Sequence, residues 1–133
     1  MITLRQYEAG EIILRENDTG ETAYVIERGR VEVSKELDGQ KVHLAYMGAG
    51  EIFGEMSVID DMPRSATITA VEKTAAREIQ RELFFRTLQT DPEVVVNLLK
   101  VFFERLREAN ATILHLQKVG SQPPLSSPSA KAH

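Results

Sequence analysis

Apolar positions change rhythm once along this chain, near residue 80. Before that point they come in short runs, many of them β-branched and separated by glycine: Glu11-Ile12-Ile13-Leu14, Ala23-Tyr24-Val25-Ile26 and Val31-Glu32-Val33. The last run alternates apolar and polar side chains, as a strand with one buried face does. The pattern predicts strands over 2–7, 12–14, 23–27, 31–36, 42–47, 65–71 and 75–79. Asp38-Gly39, set between Val31-Glu32-Val33-Ser34 and Val42-His43-Leu44-Ala45, predicts a tight hairpin, because both residues tolerate the positive φ such a turn requires. Strands at roughly ten-residue spacing point to a sandwich or a barrel.

From Arg81 onward the texture is helical. A short helix is predicted over 81–89, and Asp91-Pro92-Glu93 reads as the start of a second, with Asp91 as the cap and Pro92 where a missing N–H costs nothing. The second helix is expected to reach about residue 119, with Gly120 closing it. Within it Val95, Leu99, Phe102, Leu106, Ala109, Ile113 and Leu116 follow alternating four- and three-residue steps, the seam of a coiled coil. Before Leu106 the additional Val94, Leu98, Val101 and Phe103 widen the stripe, as on a helix lying against a core; beyond it the seam is narrow and predicts a homodimer contact. Residues 120–133, with three of the five prolines and four serines, are expected to form a disordered tail.

Composition narrows the function classes. The 133 residues hold 16 Lys+Arg and 20 Asp+Glu, a net charge of −4, which argues against a groove for a polyanion while leaving room for one phosphate. No cysteine is present, so disulfide scaffolds, thiolate metal sites and cysteine nucleophiles are excluded. His43, His115 and His133 fall on a strand, a helix and the tail, too scattered for the metal cluster of a cupin-type enzyme. No apolar stretch approaches 20 residues, so the reading is a single cytoplasmic domain over 1–119 with no membrane contact, no metal and no catalytic set.

The chemistry concentrates in Gly50-Glu51-Ile52-Phe53-Gly54-Glu55-Met56-Ser57-Val58-Ile59-Asp60-Asp61-Met62-Pro63-Arg64-Ser65-Ala66-Thr67. Gly54 permits close backbone approach, and the residues after it can form one helical turn. Arg64, delivered by a proline-fixed turn, offers a planar fork of donors suited to paired phosphate oxygens. Glu55 suits a pair of hydroxyls better than a bare phosphate, so together they suggest a sugar phosphate or nucleotide. The plain alternative is a surface ion pair between Arg64 and Asp60 or Asp61, worth about 0–1 kcal/mol.

Phe53-Gly54-Glu55, then seven residues, then Pro63-Arg64-Ser65-Ala66-Thr67 closely resembles the phosphate-binding cassette of cyclic-nucleotide-binding domains. Gly10-Glu11-Ile12-Ile13 and Tyr24-Val25-Ile26-Glu27-Arg28-Gly29-Arg30-Val31-Glu32-Val33 also resemble that family's glycine-punctuated strands, so the likeness spans about residues 2–119. It implies a mainly β fold: a jelly roll (double-stranded β-helix) of about eight strands followed by a short and a long C-terminal α-helix. It implies a regulatory module that binds cyclic AMP, with cyclic GMP as second candidate, and whose long helix moves on binding. The ligand set it implies is Phe53, Gly54, Glu55, Met56, Arg64, Ser65, Ala66 and Asn110. In that set Arg64 takes the cyclic phosphate, Glu55 the ribose 2′-OH, and N–H groups near Gly54, Glu55 and Ser65 complete the anion site. Members with alanine at the place of Ser65 look adenine-preferring and those with threonine guanine-preferring; serine occurs in bacterial regulators that resemble the catabolite activator, hence the lean to cyclic AMP. Asn110, with Arg105 or Thr112 as the alternatives, would approach the purine, which could rest on Val42, Leu44 or Met56. One departure is visible: Asn17 stands where the family usually has glycine. Two rivals remain, a degenerate domain that binds a protein, and the sensor fragment of a larger transcription regulator, kinase or channel. Only the Ser/Pro tail follows the long helix, so no nucleic-acid contact is expected in this chain.

Overall fold

In the computed structural model, which describes residues 2–120 and their side chains as far as Leu116, the strands form two four-stranded sheets. In chain order the elements are β1 (Ile2–Tyr7), β2 (Ile12–Leu14), β3 (Thr22–Arg28), β4 (Arg30–Leu37), β5 (Gln40–Gly48), β6 (Ile52–Phe53), α1 (Glu55–Asp60), β7 (Thr67–Ala70), β8 (Thr74–Gln80), α2 (Arg81–Thr90) and α3 (Pro92–Gly120). One sheet has the order β1-β8-β3-β6 and the other β2-β7-β4-β5, with every pairing antiparallel. The mainly β fold with C-terminal helices is therefore as the sequence implies. Backbone contacts divide the chain into two units, residues 1–89 and a second beginning at Thr90.

The core of the first unit forms where the alternating strands turn one face inward. Tyr24, Ile26, Val31, Met47, Phe53, Ile68 and Ala76 make up one buried cluster, drawn from both sheets. The hairpin between β4 and β5 closes at Asp38 (φ 53°) and Gly39 (φ 79°), with Leu37 opposite Gln40. Two positive φ values in a two-residue loop match the right-handed twist of the strands, which is why this dipeptide is legible from sequence.

Two features differ from the expectations. Strand β6 was not anticipated: two residues, paired as Tyr24 with Phe53 and Val25 with Ile52, are too short to show a period. Strand β7 was expected to begin at Ser65, but the ladder starts at Thr67, opposite Ser34. The preceding backbone has other partners: the Arg64 N–H donates to the Asp18 carbonyl (2.8 Å) and the Arg64 carbonyl accepts from the Asn17 N–H (2.9 Å). Lys35 Nζ donates to the Ser65 carbonyl at 2.6 Å.

The second unit is α3. The Glu93 N–H donates to Asp91 Oδ1 (3.1 Å) and the Val94 N–H to the Asp91 carbonyl (3.1 Å), so the cap acts as the sequence predicts. Along it Leu99, Leu106, Ile113 and Leu116 of the seam are exposed. The tail, apart from Gly120, lies outside the described residues. No helix among the described residues is long and apolar enough to cross a membrane.

Candidate functional site

Strand β6 delivers the site. It places Phe53 in the core, 3 % exposed, with its ring stacked on Tyr24 at 4.9 Å between centroids and 7° between planes. The chain must then turn sharply, and Gly54 does so with φ 81° and ψ −4°, so that α1 starts immediately at Glu55. A side chain at Gly54 would put its Cβ 3.1 Å from both Arg64 Nη1 and the Thr22 carbonyl, which fits the close approach inferred from sequence.

Arg64 lies across this turn and is buried, 5 % exposed. Its Nη1 donates to the Gly54 carbonyl (2.9 Å) and to Ser57 Oγ (2.7 Å), and its Nη2 to Thr22 Oγ1 (3.2 Å). All three acceptors are neutral. Three of the five guanidinium donors are thereby used. The alternative pairing with Asp60 or Asp61 does not form: Asp61 pairs with Arg81 (3.3 Å), and Asp60 Oδ1 accepts from the Met62 N–H (3.0 Å). Burial lowers the Arg64 pKa below the ordinary guanidinium range, while Tyr24 and the Glu55 carboxylate act in the opposite direction. The guanidinium remains charged at any physiological pH. Glu55 is also buried, 2 % exposed, at the first position of α1.

The turn between β2 and β3 holds Arg64 from the other side. Asn17 adopts φ 74°, so the residue at the departure position does take the left-handed conformation that a glycine would. That conformation presents the Asn17 N–H and the Asp18 carbonyl to the Arg64 backbone. Gly20 comes so close that an added Cβ would lie 2.4 Å from Arg64 Nη2. A cavity of about 320 Å³ opens between β2, this turn and β3; Arg64, Thr22 and Tyr24 reach its wall, together with Arg15 and Asp18. Glu55, Ser65 and Ala66 do not line it.

The structure thus brings the buried Glu55 and Arg64 together at the half-buried Gly54 turn. Ser65 is exposed and Ala66 half-buried beside it. Met56, Leu44 and Val42 are exposed apolar side chains on α1 and β5. Asn110 and Thr112 are exposed on α3, in the second unit. Thr22, Ser57 and Gly20 were not given roles by the sequence reading. Ser57 lies inside the motif, yet nothing local shows that its hydroxyl oxygen accepts from an arginine seven residues on. Thr22 shares a strand face with Tyr24 by period two, the one signal that could have drawn attention to it.

Comparison with known proteins gives one family. Residues 4–91 match the family model of the cyclic nucleotide-binding domain. The cyclic AMP receptor protein of Thermus thermophilus is 38 % identical over 107 residues, 80 % of this chain and 50 % of that protein. The crystal structure of the Thermus thermophilus catabolite activator protein superposes with a TM-score of 0.79 at 36 % identity, covering 86 % of this chain and 55 % of that one. The cAMP-bound form of the EAL enzyme Bd1971 superposes with a TM-score of 0.64 at 34 % identity, covering 84 % of this chain and 30 % of that one. Its cGMP-bound form gives 0.66 at 33 % identity, covering 88 % and 32 %. The chain spans about half the length of the regulators it matches, and the same domain also occurs within enzymes.

Proposed function

Since the chain belongs to the cyclic nucleotide-binding domain family, we propose that it binds a cyclic nucleotide monophosphate, cyclic AMP in preference to cyclic GMP, as a ligand-sensing module. The observation that carries this reading is Arg64: a buried positive charge whose three hydrogen bonds all go to neutral oxygens, with the buried Glu55 carboxylate acting on it. Burying such a charge costs several kcal/mol. A structural role would be met at lower cost by an ion pair or by an apolar side chain. A cyclic phosphate supplies an anionic partner in direct contact, and its paired oxygens suit the guanidinium fork.

In this reading Arg64 binds the phosphate and Glu55 accepts from the ribose 2′-OH. Backbone N–H groups around Gly54, Glu55, Ser65 and Ala66 complete the anion site, with Phe53 holding the turn from the core side. Val42, Leu44 and Met56 give the purine an apolar resting surface, and Asn110 reaches its edge, where an amide both donates and accepts. Ser65 weights the choice toward cyclic AMP. Binding displaces α3, and that displacement is the output. The exposed row from Leu106 to Leu116 joins two copies of the chain. The absence of cysteine fits a cytoplasmic setting, and the role is recognition rather than catalysis. A second copy, not a nucleic acid or a membrane, is the macromolecular partner.

Titration calorimetry of the 133-residue chain with cyclic AMP and cyclic GMP tests this. One site per chain is expected, with cyclic AMP the tighter ligand. No heat with either would leave the degenerate, protein-binding reading. Sedimentation of the same samples at several concentrations is expected to show a dimer; a monomer at high concentration with saturating ligand would remove the seam contact.

A further inference from the structure

The bond from Arg64 to Thr22 is the first link of a longer chain. Thr22 Oγ1 accepts from Arg64 Nη2 (3.2 Å) and donates to the Tyr24 hydroxyl oxygen (3.1 Å). The Tyr24 hydroxyl in turn donates to Glu78 Oε2 (2.9 Å). Arg5 Nε and Nη2 hold the other oxygen, Oε1, both at 3.3 Å. Each hydroxyl accepts once and donates once, and every bond runs in one direction, from a buried cation to a carboxylate. Chains of this polarity reinforce one another, because each donor becomes a better acceptor as its own proton is drawn onward.

The fold explains why these groups line up. Thr22 and Tyr24 are two apart on β3 and share a face. Tyr24 is the register partner of Glu78 on β8 and of Phe53 on β6. Tyr24 therefore links both halves of the cassette: its ring stacks on Phe53, next to Gly54, and its hydroxyl reaches Arg64 through Thr22. Burial is the main cause that raises the Tyr24 pKa above 10.0, so the hydroxyl keeps the proton it donates to Glu78.

We propose that Thr22 and Tyr24 are positioning residues of the nucleotide site, with the chain from Arg64 through both hydroxyls to Glu78 fixing the plane of the guanidinium before ligand arrives. This rests on the reading of Arg64 as the phosphate ligand. Thr22 fixes one Nη2 donor, so the remaining donors face a defined direction and the phosphate meets a preorganised fork. Glu78 and Arg5 anchor the far end on the neighbouring strands, outside the cassette.

The test is cyclic AMP affinity by calorimetry on the full chain, with thermal unfolding recorded for each ligand-free variant. Thr22→Val keeps the shape of the side chain and removes both its bonds. Its dissociation constant is expected to rise about tenfold or more, because an acceptor for a charged donor is lost. Thr22→Ser, which restores the hydroxyl, is expected to return the affinity to within about twofold of wild type, an outcome that packing at this position would not produce. Tyr24→Phe keeps the ring on Phe53 and is expected to weaken binding a few-fold, with no further loss when added to Thr22→Val, since Tyr24 acts through Thr22. Wild-type affinity in Thr22→Val, no rescue by Thr22→Ser, or additive losses in the double variant would each overturn the proposal. Should Thr22→Val fail to fold, wild-type affinity in Tyr24→Phe overturns it. Absence of binding by the wild-type chain would instead overturn the nucleotide reading, and this role with it.

Discussion

Arg64→Leu is expected to weaken cyclic AMP binding by a hundredfold or more while leaving the two sheets folded. Removing one partner of a buried ionic contact typically costs about 3–5 kcal/mol, which corresponds to roughly two to four decades in affinity. In the ligand-free protein the same change removes three bonds to neutral oxygens, at the Gly54 carbonyl, Ser57 and Thr22. It also removes a desolvated charge. Ser57 Oγ still donates to the Gly54 carbonyl (3.3 Å) and Thr22 to Tyr24, so neither hydroxyl is stranded. The melting temperature should therefore stay close to that of the wild type or rise. Calorimetry and thermal unfolding on one sample separate the two effects. Tight cyclic AMP binding by the leucine variant would show that Arg64 is not the phosphate ligand.

Gly20→Ala is expected to have the second-largest effect on affinity, although position 20 carries no functional group. The added Cβ would lie 2.4 Å from Arg64 Nη2 and 2.8 Å from its Nε and Cζ, and these are the end of a flexible side chain rather than backbone. The guanidinium moves and the sheets do not. Displacement of about 1 Å at a recognition group can cost on the order of 100-fold, so a loss of about 10- to 100-fold is expected with little change in melting temperature. Gly39→Ala is the matching control. It has no atom within 4 Å of its Cβ but has φ 79°, so it is expected to lower stability by about 1–2 kcal/mol and leave affinity unchanged. Unchanged affinity in Gly20→Ala would mean that the position of Arg64 seen here does not govern binding.

What sequence could reveal was local. The Asp38-Gly39 hairpin and the Asp91-Pro92 helix start are written in two or three adjacent residues, and both form as expected. The cassette was legible because Gly54, Glu55 and Arg64 lie within eleven residues, and a fixed spacing carries them onto one turn. The contacts that hold Arg64 were not legible, because they come from strands distant in sequence. Thr22 is 42 residues from Arg64, and Tyr24 is 54 from Glu78. The order β1-β8-β3-β6 brings Tyr24 beside Glu78, and the Asn17-Asp18 turn holds the Arg64 backbone near β3. Strand β6 escaped notice for the same reason, since its two residues are extended by pairing with β3 and show no periodicity of their own. At Ser65 the β-forming run Ala66-Thr67-Ile68-Thr69 suggested a longer strand, but the Asn17-Asp18 turn takes the Arg64 backbone groups first.

The most direct test is a crystal structure of the chain with cyclic AMP bound. The cyclic phosphate is expected against the Arg64 guanidinium at hydrogen-bond distance, with the ribose 2′-OH on Glu55. A nucleotide seated elsewhere, with Arg64 still bonded only to Gly54, Ser57 and Thr22, would contradict it.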